Sequence, residues 1–218
     1  MMKVVITGTS TGMGRAAAIE FLQNGHTVYG IDIRRSTIVH PNYIHKIANV
    51  SNKSELPNIT DVNILINNAG VQNSGKDMEI NYQGIKNCTE LYGLQPAIMS
   101  ILNQASVSAH NGAEFPDYCA SKGAVLAYTK WTATQIAKFG AICNSISCGG
   151  VLTDLNRPVI EDRDCWDEIM KVTPLKKWAT PEEIARWMYF LTVVNKSCTS
   201  QDIIIDNGET SDTHFIWK

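Results

Sequence analysis

Tyr118 and Lys122 stand four residues apart in a stretch with a helical pattern, so one turn brings both side chains to the same face. A free tyrosine, with a pKa of about 10, is a poor base near neutrality. A lysine charge beside it favours the tyrosinate and lowers that pKa. Such a pair can exchange a proton with an oxygen that becomes an alkoxide when a hydride reaches a carbonyl. A Tyr-x-x-x-Lys pair is also a common surface pair, so its meaning depends on its company. Ser106, three residues after Asn103, offers a hydroxyl to a substrate oxygen, with Ser108 as the competing serine. His110 is a lone loop histidine, and with no second triad member beside it Ser–His–Asp hydrolysis is disfavoured.

The other chemical constellation opens the chain. The apolar run Lys3 to Thr7 leads into Gly8, Ser10, Thr11, Gly12, Met13 and Gly14, and a helical pattern follows at Arg15. Glycines at 8, 12 and 14 allow a tight turn and let backbone N–H groups approach a pyrophosphate at the positive end of a helix. No Gly-Lys-Ser/Thr follows, which favours a dinucleotide over ATP. The next strand-like run ends at Asp32, whose carboxylate can accept hydrogen bonds from ribose hydroxyls and repel a 2′-phosphate. That favours NAD; Arg34 and Arg35, just beyond, keep NADP open.

These residues need a frame. Apolar β-rich runs at Lys3 to Thr7, Thr27 to Asp32, Tyr43 to Ala48, Asn63 to Asn67, Ile98 to Asn103, Ala141 to Ser147 and Asp202 to Asp206 alternate with helical patterns. The helices are expected over Arg15 to Asn24, Met78 to Leu94, Tyr118 to Lys138 and Pro181 to Leu191, the last opened by Thr180, an N1 proline and two glutamates. This pattern predicts a single α/β domain over 1–218, doubly wound, with a parallel sheet flanked by helices on both faces. With 218 residues, 19 basic against 21 acidic side chains and no basic stripe, nucleic acid is not an expected partner. Nothing approaches a membrane span. The six cysteines lack metal or zinc-finger spacing, so no metal site is expected and reduced thiols in a cytoplasmic protein are.

Taken together, the segments resemble the short-chain dehydrogenase/reductase family across nearly the whole chain. The match runs through Thr7-Gly8-x-x-x-Gly12-x-Gly14, Asn67-Asn68-Ala69-Gly70, Asn81, Ser106 and Tyr118-Cys-Ala-Ser-Lys122. It continues in Asn144-Ser-Ile-Ser-Cys-Gly149-Gly-Val-Leu-Thr153, Pro174-Leu-Lys-Lys-Trp-Ala-Thr-Pro-Glu-Glu-Ile-Ala and Ile205-Asp206-Asn207-Gly208. Gly30-Ile-Asp-Ile-Arg34 and Ser106-Val-Ser-Ala-His110 are similar to bacterial 3α-hydroxysteroid dehydrogenase/carbonyl reductases. The resemblance implies a Rossmann-type fold and hydride transfer between NAD(H) and an alcohol or ketone, with Tyr118 as general acid/base. It implies that Ser106 hydrogen-bonds the substrate oxygen, Lys122 holds the nicotinamide ribose, and Asn81 anchors a relay water. It places Thr153 at the carboxamide, with Gly149 and Val151 nearby, and Asn68, Ala69 and Gly70 along the adenosine side. Ile33 and Arg34 join Asp32, and Asn49 and Val50 lie near the adenine, Asn49 where the family usually has aspartate.

The chain departs from the pattern in places. The crossover between the third and fourth strands is too short for its usual helix, the stretch from Gly70 to Asn81 is abbreviated, and Cys148 replaces a proline. Substrate specificity is expected in 151–178, where Leu155, Pro158, Val159, Ile160, Trp166, Ile169 and Met170 either line a pocket or pack on the core. A homodimer or homotetramer is implied, and the apolar tail His214 to Trp217 is a candidate for docking on a neighbour. Alternatives are an NADPH-dependent 3-oxoacyl-carrier-protein reductase, disfavoured by Asp32, and a dinucleotide-sensing regulator without turnover, disfavoured by the intact Ser106, Tyr118 and Lys122.

Overall fold

Side chains in a strand alternate between faces, and in the first strand both faces are apolar: Val4 and Ile6 point one way, Val5 the other, and all three are fully buried. A strand hydrophobic on both sides belongs inside a parallel sheet covered by helices. In the computed structural model, which describes residues 1–211, it does so. The strands are β1 (Lys3–Thr7), β2 (Thr27–Asp32), β3 (Tyr43–Ile47), β4 (Ile64–Asn67), β5 (Ser100–Gln104), β6 (Ile142–Cys148) and β7 (Asp202–Ile205). They form one seven-stranded, all-parallel sheet in the order β3-β2-β1-β4-β5-β6-β7. The helices are α1 (Gly12–Gln23), α2 (Gly84–Cys88), α3 (Ser108–Asn111), α4 (Pro116–Ile136), α5 (Arg157–Ile160), α6 (Arg163–Val172) and α7 (Pro181–Tyr189).

Two apolar layers hold the sheet. Phe21 and Leu22 of α1 and Ile184 and Met188 of α7 pack on Val4, Ile6, Ile64, Ile66 and Ile146. On the opposite face Tyr92, Ala133 and Ile136 pack on Val5, Leu65, Ile101 and Cys143. α7 opens with a full capping box: Thr180 Oγ1 accepts from Glu183 N at 3.2 Å, and Glu183 Oε2 accepts from Thr180 N at 2.8 Å.

The expected helix from Met78 is present but not regular. Wider π-helical turns, Met78–Gln83 and Thr89–Gly93, flank the short α2. Helix α4 starts two residues before Tyr118, with Pro116 at its first turn. Strand β5 starts at Ser100 rather than Ile98, because Ile98 N donates to Gln95 O in a turn. Between β3 and β4 the crossover holds only the single turn Lys53–Glu55. Side chains of the helix beneath it hold it down: Asn87 Nδ2 donates to Val50 O (2.9 Å) and Ser51 O (3.1 Å), and Tyr92 Oη to Pro57 O (2.8 Å). The tail His214 to Trp217 lies outside the described residues. Among the described residues no helix is long and apolar enough to cross a membrane.

The order of strands reverses between β1 and β4, where consecutive connections leave to opposite sides. In such a sheet the crevice at the carboxyl ends of these strands is where ligands sit.

Candidate active site

The β1–α1 loop lies at that crevice and is bound from below. Thr7 Oγ1 accepts from both Asn68 N (3.0 Å) and Ala69 N (2.9 Å), and Asn68 Nδ2 donates to Thr7 O (3.0 Å) and Gly8 O (3.3 Å). Gly8 takes φ +75°, a conformation other residues rarely adopt. Gly14 is so close to the preceding turn that a Cβ there would stand 2.1 Å from Gly8 O. Helix α1 then opens at Thr11 with no side-chain cap and no acidic residue in its first turn, which leaves the helix end suited to an anion. A dinucleotide pyrophosphate fits this cradle, at the amides of Gly12 and Met13. Asp32 closes it: its Oδ2 accepts from Ser10 N and its Oδ1 from Arg34 N, each at 2.9 Å. Ser10 Oγ donates to Arg34 O at 3.1 Å, so both Ser10 donors turn into the loop. The side chains of Ile33 and Arg34 are exposed. Asn49 Oδ1 accepts from Ser51 N (3.0 Å) and Oγ (3.1 Å), and Val50 turns its side chain inward against Gly84.

The reaction centre stands farther along the same crevice. A buried polar ladder fixes α4 to the sheet: Asn67 Nδ2 donates to Asn103 Oδ1 (2.9 Å) and Asn103 Nδ2 to Thr129 Oγ1 (2.9 Å). Tyr118 and Lys122 project from the first turns of that helix, with Lys122 Nζ 5.6 Å from the Tyr118 ring centroid. Lys122 is 4 % exposed, and its Nζ donates to Gln104 O at 2.9 Å. Ser106 Oγ donates to Ser108 Oγ (3.0 Å), and Ser108 Oγ donates in turn to the Glu114 carboxylate. Asn81 lies in the first π-helical turn, where its Oδ1 accepts from Val71 N (2.8 Å). Its Nδ2 donates to Val71 O (2.9 Å) and Ser121 Oγ (3.0 Å). Ser121 Oγ donates to Tyr118 O at 2.7 Å, tying Asn81 to the backbone that carries the tyrosine.

Electrostatics here run against the expectation from sequence. Burial pushes Tyr118 up to about 12, with the neighbouring Ser106 hydroxyl pulling the other way, and pushes Lys122 down to about 8. Desolvation by burial is the largest influence on both groups, and for Lys122 it outweighs the charges of Cys148, Asp77 and Glu114 that pull the other way. Tyr118 is thereby a firmly protonated acid at neutral pH, and added positive charge is needed to make it a base.

Ser106, Tyr118 and Lys122 line one cavity of about 370 Å³, together with Met13 of α1, Asn68 and Gly70 after β4, and Gly149, Val151 and Thr153 after β6. A family model described as enoyl-(acyl carrier protein) reductase matches residues 8–210. The chain belongs to the short-chain dehydrogenase/reductase family. A 3-oxoacyl-[acyl-carrier-protein] reductase of Chlamydia pneumoniae is 28 % identical, the match covering 95 % of this chain and 96 % of that one. An NAD-dependent glycerol dehydrogenase of Listeria innocua is 26 % identical over 94 % of this chain and 92 % of its own. Among solved structures, 4-hydroxyisoleucine dehydrogenase complexed with NADH superposes with a TM-score of 0.86 at 23 % identity, covering 98 % of this chain and 100 % of that one. This short-chain dehydrogenase/reductase is an NAD(P)-dependent oxidoreductase acting on an alcohol or keto group.

Within that family frame the structure gives several of the expected residues particular neighbours. Gly70, expected along the adenosine side, has Asn81 and Lys122 as neighbours: a Cβ there would lie 3.1 Å from Asn81 Oδ1 and 3.6 Å from Lys122 Nζ. Thr153 packs beside Gly12, where a Cβ would meet its Cγ2 at 3.4 Å. His110 has company after all: its Nε2 lies 2.8 Å from Asp202 Oδ2 and 3.4 Å from Ser147 Oγ. Both partners address the same ring nitrogen, whereas a triad uses one on each, so the cluster ties α3 to β7. From the 151–178 segment Leu155 and Ile169 line the cavity, and Trp166 stacks edge-on behind the lining Trp178 at 5.1 Å. Sequence reasoning missed Gln104, Glu114 and Glu209. Glu114 lies in an aperiodic loop and Glu209 near the end of the chain, and neither has a spacing that marks it.

Proposed function

We propose that this chain is an NAD(H)-dependent alcohol dehydrogenase and carbonyl reductase. The convergence of Ser106, Tyr118 and Lys122 on one cavity beside the glycine loop carries this reading. A bound nicotinamide dinucleotide supplies or accepts the hydride. Tyr118 Oη gives its proton to the substrate oxygen in reduction and takes it back in oxidation. Ser106 hydrogen-bonds that oxygen, and Lys122 holds the nicotinamide ribose and adds positive charge beside the phenol. Asn81, with its side chain committed to Val71 and Ser121, acts chiefly by holding the backbone around Tyr118 and Gly70 in place. Asp32 receives the adenosine ribose hydroxyls, a role that its place at the end of β2 supports. The six free thiols fit a cytoplasmic location. Exposed Trp131 on α4 and Trp187 on α7 fit a homodimer or homotetramer.

A second reading has support in the 28 % identical 3-oxoacyl-[acyl-carrier-protein] reductase. Fluorescence titration with NADH and with NADPH separates the two. The dehydrogenase reading expects NADH to bind at least about tenfold tighter, worth ~1.4 kcal/mol, and Asp32→Ala to erase the difference. Tighter NADPH would put Arg34 in charge of the site and favour the second reading; binding of neither would overturn both. With either cofactor, Tyr118→Phe removes turnover while NADH binding persists.

A further inference from the structure

Helices α5 and α6 carry the chain from β6 towards α7, and neither contains a buried residue. With so little apolar packing of its own, such a segment is placed by the ties at its ends. At its far end those ties meet on one side chain. Glu209, in the turn after β7, has its Oε1 2.9 Å from the donor Trp178 Nε1, with the hydroxyl of Thr173 3.5 Å away. Thr173 ends α6 and is fully buried, and Trp178 meets Trp166 of α6 edge-on. The other neighbour of Glu209 is the loop after β6. The Gly150 N–H donates to the same carboxylate. A Cβ on Gly149 would stand 2.6 Å from Glu209 Oε2, and one on Gly150 would stand 1.9 Å from Trp178 Cε2. Loop, indole and carboxylate are therefore packed without slack, and one cannot shift while the others stay. A carboxylate has an acceptor oxygen for each of the two N–H donors. An amide has one, and would turn its own N–H towards the other donor.

We propose that Glu209 is a positioning residue that couples dinucleotide binding to the placement of the 151–178 segment. The proposal rests on the dehydrogenase reading above, which seats the nicotinamide end of the dinucleotide against the loop from Gly149 to Thr153. It goes beyond that reading by naming the side chain that carries the state of the loop to the end of α6. Glu209 acts through Gly150 on one side and Trp178 on the other. Leu155 and Ile169, which line the cavity from this segment, are set in place by the same link. The coupling is reciprocal, so a variant that frees α6 also binds the dinucleotide more weakly.

The test is limited trypsin digestion of the full chain, with and without saturating NADH, read by mass spectrometry. Arg163 and Lys171 stand exposed on α6 and report its release. In the wild type NADH should slow cleavage at both by at least about fivefold, the lower end of a coupling between sites. Glu209→Gln should bind NADH more weakly and keep about twofold protection or less. Trp178→Phe keeps an aromatic ring but drops the N–H, and should lose protection in the same way. It carries the test alone if Glu209→Gln does not fold. The double variant should lose no more than either single, because both act on one link. Thr180→Ala loosens the neighbouring α7 without touching the link, and should keep full protection. Wild type unprotected by NADH, full protection in Glu209→Gln or Trp178→Phe, additive losses, or equal loss in Thr180→Ala would each overturn the proposal. Failure of the wild type to bind NADH would instead sink the dehydrogenase reading, and the fluorescence titration shows this separately.

Discussion

Replacing Lys122 with methionine should make the protein more stable and inactive. Lys122 is 4 % exposed, and burial lowers it from an ordinary 10.5 to about 8. At ~1.4 kcal/mol per pKa unit, holding that charge in the fold costs about 3 kcal/mol at neutral pH. Methionine keeps most of the stem and drops the charge. It also loses the hydrogen bond to Gln104 O, worth about 1 kcal/mol. The net gain is about 2 kcal/mol, or a Tm raised by roughly 4–8 °C for a domain of this size. The gain depends on pH in a defined sense. Between about pH 8 and 10.5 the unfolded chain still holds the lysine proton and the folded chain does not, so wild-type stability climbs with pH across that window. The advantage of Lys122→Met should therefore be full near pH 7 and close to nil by about pH 10. Urea denaturation of both proteins at the two pH values measures it. A methionine variant less stable than wild type at pH 7, or a gap equal at both pH values, would refute the account of Lys122 as a buried charge retained at a cost in stability for the reaction.

Other expectations are simpler to check. Because Tyr118 is raised to about 12, the tyrosinate fraction grows throughout the accessible range, so NAD-linked alcohol oxidation should climb from pH 7 to 10 and ketone reduction should not; rates at fixed pH intervals decide it. Gly14→Ala puts a methyl on Gly8 O, which cannot yield, and should cost about 2–3 kcal/mol in urea denaturation and abolish NADH binding. Thr180→Ala removes the capping box of α7 and should cost about 1 kcal/mol, lowering Tm by roughly 2–4 °C with NADH affinity unchanged.

What could be read in the sequence is what repeats or sits at fixed spacing. The two-faced apolar strands, the glycine turn and the Tyr118–Lys122 helical pair each follow from local geometry, and the sheet and cavity contain them as expected. The contact of Gly70 with Lys122 was not legible because Lys122 comes from a helix far along the chain, and only the fold brings them together. The Tyr118 pKa went the other way because charge proximity is visible in a four-residue spacing, whereas burial is not. Glu114 and Glu209 reach one cavity from opposite ends of the catalytic half, and no local pattern announces that.

The short crossover between β3 and β4 changes how the protein responds to mutation. A crossover helix satisfies its own backbone whatever most of its side chains are, so its sequence can drift widely. Here the carbonyls of Val50, Ser51 and Pro57 depend on two side chains, Asn87 and Tyr92, that belong to a different element. Replacing Asn87 with leucine would strand two carbonyls and loosen the segment carrying Asn49 and Val50. Economy of length has thus been exchanged for sequence constraint: the chain is shorter, and particular positions remote from the chemistry have lost the freedom to vary.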